Sequence, residues 1–114
     1  MPYFIINKDN SKIFSKINKI DKVIILYHWN QCGHCIELMQ IWNKLIDKFK
    51  DKVYIFEIEY SNFKYIPSKY NNILGFPSII SYKFGEFDSE FKNKRNTTNI
   101  EKFIKKNYSD LLKK

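Results

Sequence analysis

The run "KVIILYHW", Lys22 to Trp29, restricts the fold more than any other stretch of this chain. A continuous apolar and aromatic segment without alternation is the signature of a strand buried on both faces. Such a strand needs a covering layer on each side, and its neighbours in sequence supply them. From Gly33 to Phe49, the residues Ile36, Met39, Trp42, Leu45, Ile46 and Phe49 recur at spacings of three and four, which predicts a long helix with one apolar face. Upstream, "NSKIFSKINKI" carries Ile13, Phe14, Ile17 and Ile20 at helical spacing, in a helix expected to start near Asp9 to Ser11.

The remaining segments extend this pattern. "FIIN" reads as a short first strand, and "KVYIFEIEY" is β-branched and aromatic, hence a strand. "FKYIPSKYNNI" holds a short helix ended by Asn71 and Asn72, residues that tolerate left-handed geometry. "PSIISYKF" and "GEFDSEFK" read as two strands with Gly85 in the tight turn between them. "TNIEKFIKKNYSDLL" is a closing helix with its N-cap region at Thr97 to Asn99. The order is β-α-β-α-β-α-β-β-α. Strands separated by helices call for parallel pairing and the last hairpin for antiparallel pairing. The fold class is α/β, a central mixed β-sheet flanked by helices, in one domain spanning residues 1–114.

Composition narrows the function classes. An aromatic content of 18% supplies bulky core residues, so stability need not rest on disulfides or metal. No stretch of roughly twenty apolar residues is present, so no membrane span is expected. The start, "MPYFIINKDNSKIF", lacks the features of a secretory signal, and the expected location is cytoplasmic and reducing, or inside a particle. The net charge of +8 invites a nucleic-acid reading. Yet the lysines are scattered, Arg95 is the single arginine, and readers of bases and phosphates rely on arginine forks. Abundant Lys, Asn and Ile with no Ala suggest coding bias in an AT-rich genome, and the charge reads as solvated surface. The terminal "KK" reads as a solvated end.

Cys32 and Cys35, the only cysteines, fall where the buried strand gives way to the long helix. A cysteine at a helix start faces orphan N–H groups and the positive end of the dipole, both of which favour thiolate over thiol. Cys32 is therefore expected to have a lowered pKa and to act as nucleophile. Cys35, three residues on, shares its helical face within bridging reach and lies one turn further in. Cys32 would attack a disulfide and Cys35 would resolve the mixed disulfide. Gly33 between them lets another backbone approach closely. His34, as a donor or cation beside the thiolate, would stabilise the reduced form and make the disulfide more oxidising.

"CGHC" between a buried strand and a long helix resembles the active site of thioredoxin-fold proteins, with the protein disulfide isomerase form of the central dipeptide. A distant stretch, "KYNNILGFPSIISYKFGE", is similar to a second element of that family through Lys69, Tyr70, Gly75, Phe76, Pro77, Ser78 and Gly85. The resemblance covers nearly the whole chain. It implies a thioredoxin fold, a cis bond before Pro77, and a Pro77 packed against the dithiol. It also implies that the backbone of Phe76 is exposed, so that a substrate segment can pair with it as an added strand. Trp29, Gln31 and Phe76 are the expected substrate-facing residues.

Two positions depart from the family pattern. Gln31 stands where Trp usually precedes the first cysteine, with Trp29 two residues earlier, and Trp29 or Tyr27 is alternatively a core residue. Leu26 stands where the family commonly buries an acid that moves the proton of the resolving thiol. Counting back from Tyr70 makes Glu57 the replacement, against the alternative of a solvent-facing strand residue. Glu57 and Glu59 share one face of their strand, opposite Phe56 and Ile58. His28 is a second proton-carrier candidate, more simply read as a packed residue.

The expected function is thiol–disulfide exchange on protein substrates, with no cofactor beyond the Cys32–Cys35 pair and no metal. A sulfhydryl oxidase, or glutathione with a reductase, would be the electron partner. Against cytosolic glutathione a relatively oxidising CGHC pair would be held reduced and would serve as reductase or isomerase. The composition without a signal is also similar to thioredoxin-like proteins of large DNA viruses, some of which are carried in the virion. Two alternatives stand beside this reading. One is a metal-binding protein using the CxxC pair, although the second distant Cys or His pair of a structural zinc site is missing. The other is a non-catalytic interaction module on the same fold.

Overall fold

The apolar run becomes β2 (Val23–His28), the middle strand of a five-stranded sheet. The computed structural model describes residues 3–112, leaving aside the side chains of residues 108 and 110–112; the terminal "KK" lies outside the described residues. The other strands are β1 (Tyr3–Ile6), β3 (Tyr54–Glu59), β4 (Ser78–Lys83) and β5 (Glu86–Glu90), in the order β1-β3-β2-β4-β5. Three helices accompany them: α1 (Gly33–Phe49), α2 (Ser68–Asn71) and α3 (Thr97–Leu112). The segments Ser11–Lys19 and Tyr60–Tyr65 are 3₁₀ helices.

Alternation along the strands divides the core into two layers. On one face, Ile25, Tyr27, Phe56, Ile58, Ile80 and Tyr82 meet Phe14 and Ile17 of the first 3₁₀ segment and Phe63, Ile66 and Tyr70 beyond β3. On the other, Ile24, Leu26, Ile55 and Ile79 meet α1 and α3 through Leu38, Trp42, Leu45, Ile46, Phe49, Ile100 and Ile104. Trp42 is fully buried, and truncating such a side chain to alanine costs about 3–5 kcal/mol. Near the opposite end of β2, the buried Lys22 ion-pairs with Asp88 and donates to Asn107 Oδ1 at 3.1 Å. That network ties α3 to the edge of the sheet. Among the described residues no helix is long and apolar enough to cross a membrane.

Several sequence expectations need correction. The buried face of α1 is Cys35, Leu38, Trp42, Leu45, Ile46 and Phe49, whereas Ile36 is 55% exposed. Helical periodicity alone does not separate 35-38-42 from 36-39-42. The first helical segment is 3₁₀ rather than α. Neither Asn71 nor Asn72 is left-handed; among the described residues Phe84 (φ 49) is the non-glycine with positive φ. The cap of α3 is Asn96, whose Oδ1 accepts from Asn99 N–H at 2.8 Å, one residue ahead of the expected region.

The correction with most consequence concerns β4. β1 and β2 run parallel to β3, but β4, although separated from β3 by helices, pairs antiparallel with β2. Glu59 lies opposite His28 and Ser78 opposite Tyr27, so β3 ends and β4 begins at the same edge of the sheet. The connection, residues 60–77 with the second 3₁₀ segment and the four-residue α2, leaves and re-enters the sheet at that edge, and Pro77 emerges beside the start of α1.

Candidate active site

Cys32 is the N-cap of α1, with extended backbone (φ −103°, ψ 116°). The Cys32 N–H donates to the Trp29 carbonyl at 3.1 Å, which closes the turn leaving β2, and the Cys32 carbonyl accepts from Ile36 N–H at 3.1 Å as the first helical bond. The side chain thus points along the orphan amides of the first turn. Cys35 N–H donates to Cys32 Sγ at 3.2 Å, and the Cys32 thiol donates to the Phe76 carbonyl at 3.7 Å. Both cysteines are free; Cys32 is half-buried and Cys35 only 1% exposed. Burial, followed by the hydrogen bond with Cys32, pushes the Cys35 thiol up to about 11, against an opposing backbone contact from Trp29 and the charge of Arg95.

The other expected residues distribute around this pair. Gly33 is exposed, with open space where a side chain would stand. His34 and Gln31 are exposed. The Phe76–Pro77 bond is cis and Pro77 is buried. Trp29 is half-buried and its ring meets Tyr60 at 5.8 Å and Phe76 at 6.3 Å, while Tyr27 lies in the core with its hydroxyl 3.1 Å from that of Tyr82. Tyr60 and Phe63 also pack on Phe76. Ile36, Tyr60 and the fully exposed Leu74 leave apolar surface facing solvent around the cysteines.

A buried carboxyl stands beside Leu26 on the next strand. Leu26 is fully buried and pairs in register with Glu57, itself 3% exposed, which excludes a solvent-facing position. Among the described residues Glu57 is the one buried carboxyl. It accepts a hydrogen bond from Trp42 Nε1 and another from the Tyr3 hydroxyl. Burial raises its pKa, and the two hydrogen bonds offset that in part. Trp42, which donates one of those bonds, lies seven residues and about 10 Å of helix beyond Cys35. His28 is half-buried; desolvation lowers its pKa and Glu59 opposes the shift.

Two residues emerge that the sequence did not single out for the site. Glu59 Oε2 accepts from Asn30 N–H at 3.0 Å, and Oε1 accepts from Ser61 N–H at 2.9 Å and from the Ser61 hydroxyl. One carboxylate therefore clamps the turn before Cys32 to the segment carrying Tyr60 and Phe63. Desolvation alone would raise its pKa, but the Ser61 and Asn30 donors hold it below the ordinary carboxylate range. Arg95, in the loop between β5 and α3, acts electrostatically on Cys35. Nothing in the spacing of the sequence brings it there; only its being the lone arginine marked it. The described residues contain no group of three or more His, Cys, Asp or Glu arranged to hold a metal ion.

A half-buried sulfur at a helix start, a buried partner one turn behind and a cis-proline loop across from both form the arrangement that known proteins can be compared with. The profile of the thioredoxin family matches residues 4–106. The chain belongs to the thioredoxin family. Among solved structures, the J-Trx1 fragment of ERdj5 superposes with a TM-score of 0.77 at 11% identity, over 95% of this chain and 52% of that one. The first two thioredoxin domains of Naumovozyma dairenensis Eps1p give 0.75 at 23% identity, over 95% and 41%. Human ERp44 in its zinc-bound form gives 0.70 at 15% identity, over 95% and 32%. This thioredoxin-family chain thus spans about half or less of the length of those chains, and at such identities the likeness is one of fold. No curated protein sequence matches it.

Proposed function

We propose that this chain is a thiol–disulfide oxidoreductase acting on protein substrates through Cys32 and Cys35. Membership of the thioredoxin family and the adjacent cysteine pair support that class at a general level. The observation that carries the finer reading is the position of Cys32 Sγ. It receives the Cys35 amide and lies against the Phe76 carbonyl, with room at Gly33 for a substrate backbone.

In the reductive direction, Cys32 thiolate attacks one sulfur of a substrate disulfide. A Cys32–substrate bond forms and the other substrate sulfur leaves as thiolate. Cys35 then gives up its proton and attacks Cys32 Sγ, closing the Cys32–Cys35 disulfide and releasing the second substrate thiolate. Two electrons pass from the cysteine pair to the substrate disulfide, and ring closure releases the Cys35 proton. Oxidation is the same sequence reversed; in isomerisation a different substrate thiolate attacks the substrate sulfur of the mixed disulfide, forming the new substrate disulfide and releasing Cys32 as thiolate. No further cofactor is required. The aromatic group Trp29, Tyr60 and Phe76 would seat an apolar substrate residue beside Gln31, with Pro77 fixing the loop and His34 favouring the thiolate. Glutathione with a reductase, or a sulfhydryl oxidase, would reset the pair.

The Cys35 proton needs an acceptor, and Glu57 is proposed for that role along a path beneath α1. A Glu57→Gln variant that resolves a trapped mixed disulfide at the wild-type rate retires it. The function itself is tested by insulin reduction with dithiothreitol, comparing wild type with Cys32→Ser and Cys35→Ser. Cys32→Ser should abolish turnover, and Cys35→Ser should accumulate mixed disulfide. A folded wild-type protein that accelerates nothing leaves the interaction-module reading, and metal that copurifies under reducing conditions leaves the metal-binding one.

A further inference from the structure

The dithiol has two unlike flanks. The aromatic group Trp29, Tyr60, Phe63 and Phe76 forms one. On the other, a cleft of about 560 Å³ opens at Pro77 and Ile79 and runs along Glu90 to Arg95. Its wall carries Lys92, Lys94 and Arg95 against the single carboxylate of Glu90. All three cations are exposed, and among the described residues none has a carboxylate within ion-pairing distance. The cleft along Lys19–Lys22 and Asp51–Tyr54 is different: its three lysines meet Asp21 and Asp51, and Lys22 already pairs with Asp88. The cleft therefore carries a net positive charge next to the residue whose neighbour touches Cys32 Sγ.

We propose that this cleft receives the acidic flank of a protein substrate. Carboxylates two or three residues from the target cysteine would pair with Lys92, Lys94 and Arg95 while an apolar residue lies on the aromatic side. The proposal rests on the thiol–disulfide reading and gives it a substrate class. Reach supports it: two or three extended residues cover about 7–10 Å, enough to pass from a sulfur held at Phe76 into a cleft that starts at Pro77. The volume accommodates several side chains, and its lining is polar enough to keep carboxylates partly hydrated.

The test separates local from overall charge. Fluorescein-labelled decapeptides carry a central serine in place of the target cysteine, with Glu or with Gln at the second and third positions on each side of it. Binding is read by anisotropy at low salt. The Glu peptide should bind roughly three- to tenfold tighter, as expected for two exposed charge pairs, and the difference should shrink as salt is added. Lys92→Glu/Lys94→Glu should abolish the preference. Lys12→Glu/Lys16→Glu, on the first 3₁₀ segment, removes the same net charge and should keep most of it. Equal binding of the two peptides, binding of neither, or equal loss in both variants overturns the cleft. Turnover of the matching cysteine peptides as mixed disulfides then tells the two readings apart. Preference without turnover refutes the redox function and leaves the acidic-segment cleft standing; turnover without preference does the reverse.

Discussion

Replacing Glu57 by glutamine should make the protein more stable, by an amount that grows with pH. The carboxyl is 3% exposed, and burial raises its folded-state pKa above the ordinary value near 4.5. Below that value both folded and unfolded chains are protonated, and the group contributes no pH dependence. As pH rises, the unfolded chain releases its proton first, so stability falls until the folded carboxyl ionises as well, and then levels off. The greatest slope for one group is about 1.4 kcal/mol per pH unit. Glutamine cannot ionise, yet its Oε1 still accepts from Trp42 Nε1, and the Tyr3 hydroxyl can turn to accept from the new amide.

The assay is urea denaturation of wild type and Glu57→Gln from pH 4 to pH 8. Each other titrating group, including Glu59 and Asp88, contributes alike to both proteins and cancels in the difference. That difference should rise from near zero at the acid end to a positive plateau. Glu57→Leu supplies the control. It shares the flat pH profile but leaves the buried indole N–H of Trp42 without its acceptor, costing about 1–3 kcal/mol. It should therefore be less stable than Glu57→Gln throughout. A wild-type minus glutamine difference that stays constant with pH would refute the buried, desolvated carboxyl.

Three further perturbations follow from the same geometry. Arg95→Gln removes a charge that holds the Cys35 thiol down, so its pKa should move above about 11; release of a trapped mixed disulfide near neutral pH should slow about two- to tenfold, and an unshifted pH profile would exclude Arg95. Glu59→Ala loses the donors from Asn30 and Ser61 and should destabilise the protein by about 1–3 kcal/mol at neutral pH. Because the Glu59 pKa is depressed in the folded state, that deficit should vanish as pH falls below it, which thermal melts across an acid series would show. Gly85 has φ +81°, and an added Cβ would stand 3.2 Å from both Asn18 Cα and Tyr70 Oη, so Gly85→Ala should cost about 1–3 kcal/mol in denaturation.

Much of this arrangement is local and therefore legible in the chain. The buried run, the span of α1 and the dithiol at the junction between them depend on residues close together in sequence. So does the placement of Glu57 and Glu59 on one face of β3, since alternation fixes it. What periodicity does not carry is which side of an apolar stripe faces inward, and so Cys35 and Leu38, not Ile36 and Met39, lead the buried face of α1. Nor does it carry the direction of β4, which depends on the edge at which a long connection re-enters the sheet. Arg95 acts electrostatically on Cys35 from a loop distant in sequence, a long-range consequence with no local signature.

Glu57 and Glu59 show why a role cannot be read from residue type and spacing alone. They stand two apart on the same face of the same strand, and their pKa values move in opposite directions. α1 decides the difference. Its Trp42 covers Glu57 and strips it of water, whereas the edge of the sheet at Glu59 is open, and backbone and hydroxyl donors from Asn30 and Ser61 replace what burial removes. The same α1 begins with Cys32 and buries Cys35. One helix therefore sets the position of the Cys32 sulfur, the shielding of its partner and the protonation preference of the carboxyl beneath it.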